Sequence, residues 1–198
     1  MEALYMSAFV SQLAPDFKAD AYVNGGFKEL SLSQFKGKKV VLFFYPLDFT
    51  FVCPTEILAF ADSLEEFKKR NTEVIGVSVD SKFTHHAWAN TPRKDGGIQG
   101  VNYPLVSDLN KQIARDYGVL MEGPGIALRG LFIINKDGIL KHSTINHLDL
   151  GRSIDEVLRL LDAVDYTEDH GEVCPANWKK GSKAMKPTEA GLKEYVRA

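Results

Sequence analysis

The run Lys38-Lys39-Val40-Val41-Leu42-Phe43-Phe44 is apolar without alternation from Val40 onward, which marks a buried central strand rather than a half-exposed one. A few residues later Ile57, Phe60, Ala61, Leu64 and Phe67 recur at helical spacing, starting at Cys53-Pro54. The chain must therefore accommodate a β-to-α unit with Cys53 at the junction. A thiol placed there faces the positive end of the helix macrodipole and its unpaired N–H groups, which favour thiolate over thiol.

The flanking segments extend this unit. Phe17 to Ala21 and Phe27 to Leu30 surround Asn24-Gly25-Gly26, a hairpin signal that predicts a small antiparallel cap. Glu73 to Asp80 is a second β-rich run, followed by a helical segment around Ala87-Trp88-Ala89 that Pro92 ends. A short strand at Pro104 to Val106 and a helix from Lys111 to Tyr117 come next, with Gly118 as the stop. Arg129 to Ile134 and Ile139 to Ser143 then form an antiparallel hairpin through Asn135-Lys136-Asp137-Gly138. Ser153-Ile154-Asp155-Glu156 is a capping box before an amphipathic helix with Val157, Leu160, Leu161 and Val164 on its buried side.

Parallel β-α-β, an antiparallel hairpin and a closing helix make the order of a thioredoxin-like α/β fold, here with an N-terminal β-hairpin and a C-terminal arm. The expected division is a domain over 1–165 and an arm over 166–198, whose Lys, Gly, Glu and Pro content predicts a segment that wraps the surface or a partner rather than forming core.

With 198 residues and a net charge of −2, the chain can bury one substantial core but offers no basic field for nucleic acid or anionic membrane. No apolar stretch is long enough to span a bilayer. Met1-Glu2-Ala3-Leu4-Tyr5-Met6 lacks the basic and apolar segments of a signal peptide, so a cytoplasmic protein is expected. In that compartment Cys53 and Cys174 are not a permanent staple.

Each candidate residue has an ordinary alternative. Cys53 is either an inert core cysteine or a nucleophile, and Pro54 in the donor-poor first turn turns the choice toward function. A low thiol pKa also weakens intrinsic nucleophilicity, so a fast reaction needs transition-state help as well. The Thr50 hydroxyl can both accept and donate, which suits it to orient a hydroperoxide, although a turn threonine would look the same. Cys174, in a polar tail, is either incidental or the thiol that condenses with an oxidised Cys53. A zinc framework is disfavoured: there is no Cys-x-x-Cys pair, His85-His86 lacks helical ligand spacing, and His142, His147 and His170 read as surface or hydrogen-bonded residues. No Walker loop, dinucleotide fingerprint or nucleophile elbow is present, so no cofactor is expected and the electrons must come from another protein or thiol.

Pro46-x-x-x-Thr50-x-x-Cys53 resembles the active-site motif of peroxiredoxins. Cys53-Pro54-Thr55-Glu56 together with Val173-Cys174-Pro175-Ala176-Asn177-Trp178 resembles the typical 2-Cys branch, and the likeness runs from Ala14-Pro15-Asp16-Phe17 to the tail. The resemblance implies a cofactor-free thiol peroxidase acting on hydrogen peroxide and organic hydroperoxides. It implies Cys53 as the peroxidatic cysteine, Thr50 and Pro46 shaping its pocket, and Arg129 facing the thiolate, with Glu56 and Arg152 holding the arginine network. Cys174 would be the resolving cysteine, supplied by the other subunit of a head-to-tail homodimer that assembles further, to a decamer. A thioredoxin-like or AhpF-type reductase would reset the disulfide. A redox-controlled chaperone and a peroxide-signal relay are secondary roles that the same resemblance allows. Gly96-Gly97-Ile98-Gln99 and Tyr195-Val196 depart from the Gly-Gly-Leu-Gly and Tyr-Phe of oxidation-sensitive members, which predicts looser packing over the active-site helix and resistance to overoxidation.

Overall fold

The structure is a computed structural model that describes residues 8–197. The Met1 to Met6 segment read above lies outside the described residues. The chain divides into two compact units between Arg152 and Ser153.

Among the described residues, the first unit is built on a seven-stranded sheet in the order β2-β1-β5-β4-β3-β8-β9. Its strands are β1 (Lys18–Val23), β2 (Gly26–Ser31), β3 (Lys39–Phe44), β4 (Thr72–Ser78), β5 (Leu105–Ser107), β8 (Arg129–Ile134) and β9 (Leu140–Asn146). Strand β3 is buried at every position and pairs parallel with β4 and antiparallel with β8, as its unbroken apolar run requires. Strand β4 in turn pairs parallel with β5.

The hairpin β1–β2 turns at Asn24 and Gly25, with φ of 48° and 84°, the left-handed pair a two-residue turn needs. It is not a separate cap, however. Ala21 and Tyr22 pair antiparallel with Val106 and Leu105, so the hairpin continues the main sheet past β5. A second hairpin, β6 (Leu120–Met121) with β7 (Ile126–Ala127), has no counterpart in the sequence reading.

Alternate residues of β3 serve opposite faces. Val40, Leu42 and Phe44 join a cluster with Phe17, Ile75, Phe132 and the α4 residues Ile113 and Ala114, where α4 is Gln112–Asp116. Phe43 points the other way and stacks on Phe60 of α1 (Cys53–Asp62), ring centroids 4.5 Å apart. Burying each such ring stabilises the fold by about 1.5–3 kcal/mol, which fixes α1 against the sheet. The apolar repeat from Cys53 to Phe67 is not one helix. It breaks at Ser63, and α2 (Leu64–Lys69) continues it, keeping Leu64 and Phe67 buried. Helix α3 (Lys82–Asn90) starts at a Ser81 cap and stops before Pro92.

The second unit holds α5 (Ile154–His170) and α6 (Glu189–Arg197). Ser153 Oγ accepts from Glu156 N at 3.3 Å, one half of the expected capping box, while the Glu156 carboxylate receives Arg159. The expected boundary at 165/166 falls within α5. The tail is more than a wrapping segment: Trp178 is buried, its ring packs on Tyr166 at 5.0 Å, and Val173 bridges Met185. Among the described residues, no helix is long and apolar enough to cross a membrane.

Candidate active site

Strand β3 hands the chain at Tyr45 into a turn that ends where α1 begins at Cys53. Pro54 sits in the first helical turn, where its missing N–H costs no intrahelical bond. Val52 O collects Thr55 N at 3.1 Å, Glu56 N at 3.3 Å and the Thr55 hydroxyl at 2.6 Å. These bonds fix the turn, so Cys53 and Glu56, at i and i+3, share one helix face.

The Cys53 sulfur is fully buried, and Arg129 Nη1 donates to it at 3.3 Å. That nitrogen also lies 2.6 Å from Glu56 Oε2, while Arg129 Nε donates to Leu148 O at 2.7 Å. Arg152 completes the group. Its N and Nε donate to Glu56 Oε1 at 2.9 and 2.8 Å and its Nη2 to Oε2 at 3.0 Å. Its Nη1 donates to Phe44 O and Gly130 O at 2.8 and 2.7 Å, stapling the ends of β3 and β8, and its guanidinium lies 5.0 Å over the Phe43 ring. Burial pulls Arg152 below the usual arginine range, and Glu56 pulls it back up.

Charge balance decides what this cluster can do. With a thiolate at Cys53, two acids face two guanidiniums and the buried group is neutral. With a thiol, one positive charge is left uncompensated away from water, which is costly. Arg129 Nη1 is placed to give an anionic sulfur a charge-assisted hydrogen bond.

Pro46 is buried in the turn before α1 and Thr50 is half-buried there. The Thr50 hydroxyl donates to Leu47 O at 2.9 Å, so its hydrogen is committed and its remaining capacity toward a ligand is as an acceptor. The structure thus gathers Cys53, Glu56, Arg129 and Arg152 into one hydrogen-bonded cluster and puts Pro46 and Thr50 on the turn leading to it.

Cys174 belongs to the second unit and, like Cys53, is a free thiol. It is half-buried, with Sγ 3.9 Å from Ala163 O. Burial raises its thiol above the ordinary cysteine range, and Arg159 opposes the rise. Arg159 is itself clamped between Glu156 and Trp178 O.

Sequence reading missed a buried polar chain beside the same turn. Tyr45 Oη donates to Asp48 Oδ1 at 2.9 Å, and Asp48 Oδ2 lies 2.7 Å from His85 Nδ1. His85 is completely buried. The available signal was its position on the same helical face as Trp88 and Ala89, which makes it a core histidine needing partners.

Comparison with known proteins identifies the family. Residues 10–143 match the AhpC/TSA family model, and residues 163–196 match the C-terminal domain of 1-Cys peroxiredoxin. The human protein named thioredoxin-dependent peroxide reductase, mitochondrial, is 62% identical over 186 residues, covering 94% of this chain and 73% of that protein. Bovine peroxiredoxin-2 is 58% identical over 193 residues, covering 98% and 97%. The structure of reduced 2-Cys peroxiredoxin from Plasmodium vivax superposes with a TM-score of 0.93 at 48% identity, covering 96% of this chain and 100% of that one. The fold is therefore thioredoxin-like, and the chain belongs to the AhpC/TSA family, among the peroxiredoxins.

Proposed function

We propose that the chain is a cofactor-free, thioredoxin-dependent thiol peroxidase in which Cys53 is the peroxidatic nucleophile. The observation that carries this reading is the buried Cys53 sulfur held 3.3 Å from Arg129 Nη1 within a cluster that is neutral only when the sulfur is anionic. The thiolate attacks the terminal oxygen of a hydroperoxide. An S–O bond forms and the O–O bond breaks, leaving sulfenic acid on Cys53 and a hydroxide or alkoxide that takes one proton from solvent and departs as water or alcohol. Arg129 stabilises the charge passing between the oxygens, and Thr50, its hydrogen committed to Leu47 O, accepts from the peroxide O–H. Pro46 shields the sulfur, while Glu56 and Arg152 hold Arg129 in place. Complete burial of Cys53 supports small substrates, hydrogen peroxide first and organic hydroperoxides after it.

Cys174 of a partner subunit then condenses with the Cys53 sulfenic acid, expelling water and forming a disulfide. A sulfur buried in the first turn of α1 cannot reach bonding distance of another thiol unless that turn opens. In this reading residues 1–165 act as the peroxidase domain and 166–198 as the arm that brings Cys174. A thioredoxin-like or AhpF-type dithiol reductant restores both thiols. That regeneration requires a reducing compartment, and we assign the cytoplasm; several relatives carry mitochondrial names, and imaging of the tagged chain in cells decides between the two.

Two surfaces support assembly. Strand β9 is the last strand of the sheet; Leu140 at its start is bonded to Ser11 and Gln12, and further along the strand exposes Ile145, an edge suited to pairing with a second copy. Phe27 and Phe83, both exposed and 5.2 Å apart edge to face with Lys82 over both rings, offer an apolar patch for joining dimers into a decamer.

Stopped-flow peroxide reduction coupled to candidate reductants is the test. Cys53→Ser should abolish turnover, whereas Cys174→Ser should keep the first oxidation and lose recycling. Mass spectrometry of non-reduced peptides should find an intersubunit Cys53–Cys174 disulfide. Near-normal turnover without Cys53 would sink the reading.

A further inference from the structure

The turn between β3 and α1 contains a residue whose burial the reaction described so far leaves unexplained. Asp48 is 7% exposed, while its neighbour Phe49 is 52% exposed. A carboxylate withdrawn from water in an exposed turn is costly unless fully bonded. Asp48 is fully bonded. Its Oδ1 accepts from Tyr45 Oη at 2.9 Å, its Oδ2 faces His85 Nδ1 at 2.7 Å, and its backbone N donates to Asp80 Oδ2 at 2.9 Å. Asp80 is steadied by Ser78 Oγ at 2.7 Å. His85 Nε2 lies 3.2 Å from Val106 O, which can only accept, so Nε2 carries a hydrogen and a further proton is shared between His85 Nδ1 and Asp48 Oδ2.

Of these anchors His85 is on α3, Asp80 lies between β4 and α3, and Tyr45 directly follows β3; none is on α1. They hold a strained turn. Phe49 has φ of +54°, a left-handed conformation that a residue with a bulky side chain adopts only under constraint. Its ring rests 5.6 Å from Trp88 of α3, and the turn closes through the Thr50 hydroxyl on Leu47 O.

We propose that Asp48 is a positioning residue for peroxide reduction: its bonds to Tyr45, His85 and Asp80 hold the Leu47–Thr50 turn in its strained form and keep the Thr50 oxygen oriented toward the peroxide. The proposal rests on Cys53 being the peroxidatic cysteine. It separates two properties of the site. Arginine contacts make the sulfur reactive toward any electrophile, whereas the anchored turn contributes only where an O–O bond must be oriented. Because its anchors lie off α1, the turn keeps its shape when the first turn of α1 opens and is ready when it closes again.

Two second-order rate constants for Cys53 in the reduced full-length protein test this, one with hydrogen peroxide and one with iodoacetamide, which needs the thiolate but has no peroxide to orient. Asp48→Ala should lower the peroxide constant about 10- to 100-fold, the range of a misplaced catalytic group, and leave the iodoacetamide constant within about threefold. Asp48→Asn should recover most of the peroxide rate, because its oxygen can accept from Tyr45 and its N–H can donate to His85 Nδ1. Equal losses with both reagents, no loss with either, or an Asn variant as slow as the Ala variant would overturn the proposal. If Asp48→Ala does not fold, Tyr45→Phe decides: it removes one donor and should cost about 3- to 10-fold with peroxide alone, and an unselective or absent effect counts against the assignment. A native protein whose Cys53 reacts with peroxide no faster than a free thiol would instead remove the peroxidase reading itself, a result distinct from any of these.

Discussion

Arg152 meets Glu56 with three donors, its backbone N, Nε and Nη2, so that both carboxylate oxygens are held by one residue. Glu56 thereby stands between Arg152 and Arg129, and both side chains are almost wholly out of water. A buried pair is weak evidence for stability in itself, but removing one partner strands the other. Glu56→Ala should lower unfolding stability by about 3–5 kcal/mol in urea titration, and Glu56→Gln by less, because the amide oxygen still accepts. A loss below about 1 kcal/mol in the Ala variant would mean that water reaches the arginines.

Arg129→Ala should slow peroxide attack by about 30-fold to several hundred-fold, the loss of roughly 2–4 kcal/mol of charge-assisted stabilisation. The decrease should persist at a pH high enough to ionise the thiol fully. Complete recovery there would reduce Arg129 to a device for forming the thiolate.

Cys174 should be a slow thiol when reduced. Burial disfavours its charged form, so its pKa lies above the ordinary value and the thiolate fraction at neutral pH is below that of a free cysteine. In Cys53→Ser protein, alkylation of Cys174 should therefore reach half its maximum at a higher pH than the same reaction in the urea-unfolded chain. Arg159 opposes the rise, so Arg159→Ala should move the midpoint higher still. A midpoint shifted downward in either protein contradicts the assignment.

The loop after α3 is tied to the far end of α1. Arg93 bonds Asp62 at 3.0 and 3.2 Å and Gln99 O at 2.9 Å. Gln99 is exposed while Ile98 is completely buried, so the departure at Gln99 leaves the loop anchored through its backbone and through Ile98. The Arg93–Asp62 pair is itself exposed and should contribute under about 1 kcal/mol to global stability. Arg93→Ala should nonetheless speed amide exchange at the end of α1 and lower the sulfinic acid formed at Cys53 in graded peroxide. Unchanged exchange at Ala59 to Asp62 would show that the loop does not restrain the helix.

Local signals in the sequence transferred well to the structure. The unbroken apolar run of β3, the Asn24-Gly25 turn and the Ser153 cap are each decided by a few adjacent residues, and each forms where expected. Pairings between distant segments did not transfer. Nothing in Ala21-Tyr22 points to Val106 and Leu105 as partners, and nothing near Cys53 signals that the apolar repeat restarts at Ser63. The motif around Cys53 made the proposed nucleophile visible, and its resemblance made Arg129, Glu56 and Arg152 nameable. Asp48 stayed silent inside the same motif because its partner, His85, is contributed by another helix and no local spacing links them.

The division of charge in the cluster has a mechanical meaning. Both cations are held by the sheet side, Arg129 at the start of β8 and Arg152 on the ends of β3 and β8, while both acids ride on one turn of α1. The helix is a plug and the arginines are its socket. In the proposed reaction, converting a thiolate at Cys53 to an uncharged sulfenic acid removes one prong of the plug, so the same step that oxidises the sulfur weakens the hold on the helix that buries it.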